Sequence, residues 1–262
     1  MSLDIIYRIN NNDSPFWTFA IHNGHLIGNE LAEYIALSDA ERFREEDPYT
    51  AKIADLPVNQ LIVETSRFQL DLNRNIENAV YLHPDQAWGL HVFRANLPSS
   101  YLLELYKQHQ SVYYTIERHL SSTIKKFGYF IILDIHSYNS KRVNTFQDVD
   151  TEANPQINLG TYYNQPKWRD VIDEFMNSLK MLTIDNKEID VRENVKFMGG
   201  NLAQHIINQY GELGCVISIE FRKDFMDEWS GEVYPDKVKA YNQLLKNVLQ
   251  TMNLYLQRIQ VS

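Results

Sequence analysis

Cysteine is almost absent: Cys215 stands alone in 262 residues, so no internal disulfide can form. No apolar stretch approaches the roughly 20 residues that span a bilayer. The opening residues have neither the basic start nor the apolar run of a secretory signal. The expectation is a soluble protein of a reducing, cytoplasmic setting with no membrane partner. Basic residues are in deficit, 25 Lys and Arg against 34 Asp and Glu, for a net charge of −9. That balance repels phosphate backbones and argues against nucleic acid as a partner, although a local cluster of arginines can still bind an anionic substrate. There is no internal repeat, low-complexity tract or linker, and 44% hydrophobic residues suffice for one sizeable core. Residues 1–262 therefore read as a single domain, and nothing in the sequence sets its oligomeric state.

The apolar run from Phe130 to Ile135 reads as a buried strand that delivers His136 and Ser137 at its carboxyl end. Polar residues placed there are site candidates, because ligands of open α/β sheets collect beyond the carboxyl ends of the strands. Three further stretches end in the same way. Trp17 to His22 ends in a histidine, Asn59 to Ser66 runs into Arg67, and Cys215 to Phe221 carries Glu220. Two histidines, an arginine and a glutamate at four strand ends suit hydrolytic metal chemistry.

Helical spacing places a long amphipathic helix over Ser99 to Lys126, ended by Gly128. Others are expected over Asn29 to Leu37, Trp168 to Leu182, Asn201 to Tyr210 after Gly199-Gly200, and Pro235 to Ile259. Asp47-Pro48 reads as a helix start, after a polar stretch from Ser38 to Asp47. Val191 to Phe197 is a short strand candidate, and Ser140 to Gln165 a long loop bordering the site. Helices feeding strands imply an α/β fold, a sheet covered by helices.

A catalytic zinc takes three protein ligands, typically two histidines and a carboxylate, and leaves a position for water. His22 and His136 supply the nitrogens; Glu46, Asp47 and Glu30 are the candidate acids, and Asp134 can orient a ligand imidazole. Glu220 can take a proton from water that zinc has acidified to a pKa of about 7, then pass it to the leaving amine. Arg67 is placed to stabilise an oxyanion, and Asn73 with Arg74 to bind a substrate carboxylate. The bland alternatives are surface ion pairs of Arg67 and Arg74 with Glu64 or Asp71, and an edge-strand charge for Glu220. His83, His91, His109 and His119 receive no role, the last two reading as solvated. Trp88-Gly89-Leu90 is a candidate pocket wall, although an aromatic near a glycine is more often packing, and Cys215 a small buried hydrophobe.

His22-Asn23-Gly24-His25, Ser66-Arg67 with Asp71-Leu72-Asn73-Arg74, Asp134-Ile135-His136-Ser137, Gly199-Gly200, and Ile219-Glu220 with Phe225-Met226-Asp227 together resemble the N-formylglutamate amidohydrolase family. That family is similar to the zinc carboxypeptidases and aspartoacylases. The resemblance implies a mixed, mostly parallel sheet sandwiched between helices, zinc-exopeptidase-like (phosphorylase/hydrolase-like). It implies Zn2+ on His22, His136 and an acid of the Glu46-Asp47 pair. Asp47 is preferred because the family places an acid before a helix. The relatives' compact His-x-x-Glu is missing, since position 25 is a histidine, so His25 is itself a candidate ligand. Glu220 and Arg67 become catalytic residues, with Asn73, Arg74, His205, Ser66 and Gly200 around the substrate.

The implied reaction is hydrolysis of the amide of an N-acyl acidic amino acid, first of all N-formyl-L-glutamate to formate and glutamate, as in amino-acid (histidine) degradation. A zinc deacylase or carboxypeptidase with another substrate is the alternative within enzymes. A catalytically silent homologue that binds an N-acyl amino acid or a partner protein is the alternative outside them.

Overall fold

The computed structural model describes residues 3–261. Its strands are β1 (Tyr7–Asn10), β2 (Phe16–Ala20), β3 (Asn59–Val63), β4 (Phe130–Tyr138), β5 (Ile157–Gly160), β6 (Thr183–Ile184), β7 (Lys187–Glu188), β8 (Val191–Glu193) and β9 (Gly214–Arg222). Its helices are α1 (Asn29–Ala32), α2 (Asp39–Glu45), α3 (Thr50–Ile53), α4 (Ser99–Phe127), α5 (Arg169–Lys180), α6 (Asn201–Tyr210) and α7 (Pro235–Val261). Seven strands form one mixed sheet in the order β1-β3-β2-β4-β9-β5-β8, and β6 pairs only with β7. The central strands β3, β2, β4 and β9 run parallel; β1 joins antiparallel to β3, and β5 antiparallel to β9.

Strand parity decides what each face buries. Successive side chains of a strand point to opposite faces, so Ile131, Leu133 and Ile135 of β4 and Cys215, Ile217 and Ile219 of β9 enter one core with Phe175 of α5 and Leu245 and Val248 of α7. Phe130, Ile132 and Val216 enter the other, with Leu105, Val112 and Leu120 of α4 and Ile206 of α6. On this second face the next positions along the strands are Asp134 and His136, in register with Ser218 and Glu220. The apolar stripe thus turns polar where α4 and α6 stop covering it.

The long helices follow their apolar spacing, and α4 ends at Gly128, whose φ of +82° suits a residue without Cβ. Shorter elements depart from expectation. The helix from Asn29 stops at Ala32, because the chain turns to let Ile35 bridge Phe93. The stretch after Ser38 is helix α2, started by a capping box between Ser38 and Glu41. Asp47-Pro48 starts no helix: Tyr49 adopts φ +67°, and α3 begins at Thr50. β1 was not legible, and β5 lies inside the expected long loop. His109 is buried, not solvated, since it continues the stripe of Leu105 one turn on and stacks on Tyr113 with ring centroids 4.3 Å apart. No helix among the described residues is long and apolar enough to cross a membrane.

Candidate active site

His22 lies just beyond β2, and its carbonyl accepts a 2.9 Å hydrogen bond from the Asp47 backbone N–H, which draws the end of α2 to the end of the sheet. Asp47 thereby meets both histidines: its Oδ2 is 3.0 Å from His136 Nδ1 and 3.5 Å from His22 Nδ1. One donor atom from each of His22, Asp47 and His136 lies within 4.8 Å of the others, and all three residues are buried. The far ring nitrogens have their own carboxylates, His22 Nε2 at 2.7 Å from Asp71 and His136 Nε2 at 3.1 Å from Asp134. Such outer carboxylates fix imidazole orientation in metal sites. His22 Nδ1 is buried with no hydrogen-bond partner among the described residues, and two imidazoles plus one carboxylate are a zinc-type donor set, so these residues fit a divalent cation.

Charge in the cluster is strongly coupled. Burial works to raise the Asp47 carboxyl, but the adjoining imidazoles of His136 and His22 outweigh it and hold the group below the carboxylate range. Burial likewise opposes protonation of His136, yet Asp134 and Asp47 raise it well above an ordinary histidine. Glu220 faces His136 across the β4–β9 pair, and enclosure by the protein pushes its carboxyl up to about 8, with the His136 charge opposing. β9 lies between β4 and β5, so Glu220 is not an edge-strand charge.

Asp71 is the hub on the other side. Fully buried, it accepts from His22, from Arg67 Nη2 at 2.7 Å, from the Asn73 backbone at 2.7 Å and from the Tyr81 hydroxyl. The Arg67 ion pair is therefore a buried one that ties Arg67 to His22. Asn73 Oδ1 accepts from Leu202 N at 3.1 Å and so caps α6. A Cβ on Gly200 would stand 2.1 Å from that oxygen, which explains the glycine. Arg74 is exposed, its guanidinium 6.0 Å from the Tyr81 ring and its carbonyl 3.0 Å from His109 Nε2.

A cavity of about 540 Å³ joins these groups; His22, Asp47, His136, Glu220, Arg67, Asn73, Arg74 and Gly200 all line it. Five other expected residues do not. Glu46 turns away, because the backbone is extended there and neighbours in extended chain point in opposite directions. Its carboxylate meets His25 Nδ1 at 2.5 Å, Arg42 at 3.4 Å and the Ser66 hydroxyl. That removes Glu46, Ser66 and His25 from the cavity together. His205 sits about 100° round α6 from Gln204, which does line the cavity; it bonds Glu117 at 2.8 Å in a separate groove. Glu30, on α1, is also outside.

Other lining residues had no assigned role: Ser137, Asn139, Arg142, Lys196 and Lys223. Lys223 is buried and donates to the carbonyls of Arg44 at 2.5 Å and Glu46 at 2.7 Å, tethering the segment that carries Asp47 to the end of β9. Burial brings its ammonium down to about 8. Of Trp88-Gly89-Leu90 only Trp88 lines the cavity, with the guanidinium of Arg67 4.9 Å and that of Arg142 5.5 Å from its ring.

Comparison with known proteins identifies the fold and the family. The chain superposes on the crystal structure of N-formylglutamate amidohydrolase from Ralstonia eutropha JMP134 with a TM-score of 0.70 at 14% identity, over 96% of this chain and 98% of that one. A gene product of Agrobacterium tumefaciens aligns with a TM-score of 0.60 at 13% identity, over 94% of this chain and 96% of the other. No curated protein sequence matches. These two likenesses establish the shared fold, while residues 14–226 match the sequence family described as N-formylglutamate amidohydrolase. With that match spanning most of its length, the chain belongs to the N-formylglutamate amidohydrolase family, a family of hydrolases.

Proposed function

We propose that this chain is a zinc-dependent amidohydrolase that releases the acyl group, formyl first of all, from an N-acyl acidic amino acid such as glutamate. The carrying observation is the convergence of His22, Asp47 and His136 opposite Glu220 in one cation-rich cavity. These three residues would hold the zinc, which supplies Lewis-acid polarisation of the amide carbonyl and a water made nucleophilic at neutral pH.

The chain's own residues do the rest. Glu220 accepts the proton of the attacking water at its carboxylate and delivers it to the amide nitrogen, so that the amine leaves neutral. Its raised pKa suits both roles, since a group near the working pH gives and takes protons with little driving-force penalty. Arg67, kept charged and oriented by Asp71, stands beside the cluster to offset charge growing on the carbonyl oxygen. Arg74 meets a substrate carboxylate from the cavity wall, and Asn73 with Gly200 fixes the start of α6 next to it.

The cavity volume leaves room for acyl groups larger than formyl, which keeps a related deacylase as the second reading. The test is a product assay on N-formyl-, N-acetyl- and N-succinyl-L-glutamate and on a neutral peptide. Release of formate with the highest kcat/KM is expected. Best turnover of another N-acyl glutamate selects the second reading, and turnover of the neutral peptide alone overturns both.

A further inference from the structure

The cavity has more cationic side chains than the proposed chemistry uses. Five line it, Arg67, Arg74, Arg142, Lys196 and Lys223, against the acids Glu45, Asp47 and Glu220. Arg67 is neutralised by Asp71, and Lys223 is held by main-chain carbonyls. Arg142 shares Glu45 with Arg44: one guanidinium nitrogen lies 2.7 Å from Glu45 Oε2, and Arg44 occupies the other oxygen. Two guanidiniums on one carboxylate leave a net positive charge.

Lys196 has no carboxylate within ion-pair distance among the described residues. Its ammonium donates to the neutral Asn154 Oδ1 at 2.5 Å and sits 5.0 Å from the Tyr138 ring. Aromatic faces and an amide hold a cation without neutralising it.

The position of Lys196 is built. Asn158, fully buried and in register with Glu220, accepts from the backbone N–H of Val195 at 3.0 Å and of Lys196 at 2.9 Å, and donates to the Phe197 carbonyl at 2.8 Å. That clamp pins the loop after β8 beside the end of β9. Desolvation and then the charge of Arg142 lower the Lys196 ammonium, outweighing the opposing pull of Glu220, Glu228 and Asp150. On the strand end leading to Arg142, the cavity-lining residues Ser137 and Asn139 bury an Oγ and an Oδ1 that have no hydrogen-bond partner among the described residues. Unpaired buried polar atoms point to a polar ligand. Arg74 stands on a different segment, the loop after β3, whose Asn73 caps α6.

We propose that Arg142 and Lys196 form a second anion subsite in the cavity that Arg74 also lines, which selects ligands carrying two carboxylates. This rests on the proposed acyl-amino-acid reading and adds to it the residues that prefer an acidic over a neutral amino acid.

The test compares glutarate with butyrate, a dianion and a monoanion of similar length, by calorimetry on the purified protein. Both share one carboxylate, so the affinity ratio isolates the second. Wild type is expected to favour glutarate by roughly tenfold or more, the worth of one charge-assisted contact. Lys196→Met and Arg142→Met each bring the ratio towards one without weakening butyrate, and Lys196→Arg restores it. Lys196 is exposed and Arg142 half-exposed, so neither change threatens folding. A wild-type ratio near one, or equal weakening of both ligands, overturns the subsite. Formate release from N-formyl-L-glutamate is scored separately. A protein with the expected ratios but no release loses the proposed activity and keeps the subsite; release without glutarate preference does the reverse.

Discussion

The centre of the cavity and its rim are built on different terms. At the centre, His22, Asp47 and His136 are buried, each imidazole has its own carboxylate, and two parallel strand pairings fix the distances. At the rim, Arg142 and Lys196 stand on loops, open to solvent, their charges only partly answered. A site can thus separate chemistry, which needs fixed geometry, from selection, which needs uncompensated charge. Substitutions at the centre should abolish function whatever the substrate, whereas those at the rim should change only which substrate is preferred.

The largest effect is expected from His136→Ala. Roughly one zinc per chain in protein purified without chelators, as for a three-ligand site, should fall to none by elemental analysis. Retention of metal by the variant would break the proposed centre. Next comes Glu220→Gln, with kcat reduced about 10²- to 10⁴-fold at unchanged metal content, the usual worth of a general acid–base. Glu220 must be ionised to accept a proton, so kcat/KM should fall as pH drops through its pKa. That value is about 8 in the protein alone, and a cation on the cluster moves it lower. An acid limb that persists in residual Glu220→Gln activity would exclude this carboxylate as its origin. Asp71→Asn should weaken metal affinity about 10- to 100-fold, as loss of an outer-shell partner does, and competition with a chromophoric chelator would measure it.

A further effect is on stability and lies between centre and rim. Lys223 has a folded-state pKa of about 8, below the 10.5 of an unfolded lysine. Burying its charge therefore costs most below pH 8, and the penalty fades as pH rises to 10.5. Relative to Lys223→Met, wild type should gain up to about 3 kcal/mol in unfolding free energy over that window. Urea titrations at pH 7 and 10 that show no such gain would mean the ammonium is better solvated than its burial implies.

The centre was far more legible in the sequence than the rim, for reasons visible in single residues. The parity of Phe130, Ile132, Asp134 and His136 announces a strand face that turns polar, and the stripes of α4, α6 and α7 follow their periodicity. Choosing between Glu46 and Asp47 required the backbone direction, which a long-range bond to the His22 carbonyl sets. His205 was misplaced because a glycine pair fixes where α6 starts but not how it is rotated. Helix α2 was hidden by its charge density, although Ser38 and Glu41 carried its capping signal. Arg142 and Lys196 had no local signature at all. Their meaning depends on Asn158 and Glu45, far away in the chain.

The order in which the chain closes follows from the position of β4. Its neighbours β2 and β9 come from opposite ends of the sequence, so both pairings close very long loops. Such non-local parallel pairing slows folding. No fragment lacking either neighbour could bring His22, His136 and Glu220 together. During refolding, uptake of the metal should therefore trail the appearance of helix signal from α4 and α7, and serve as a clock for completion of the sheet.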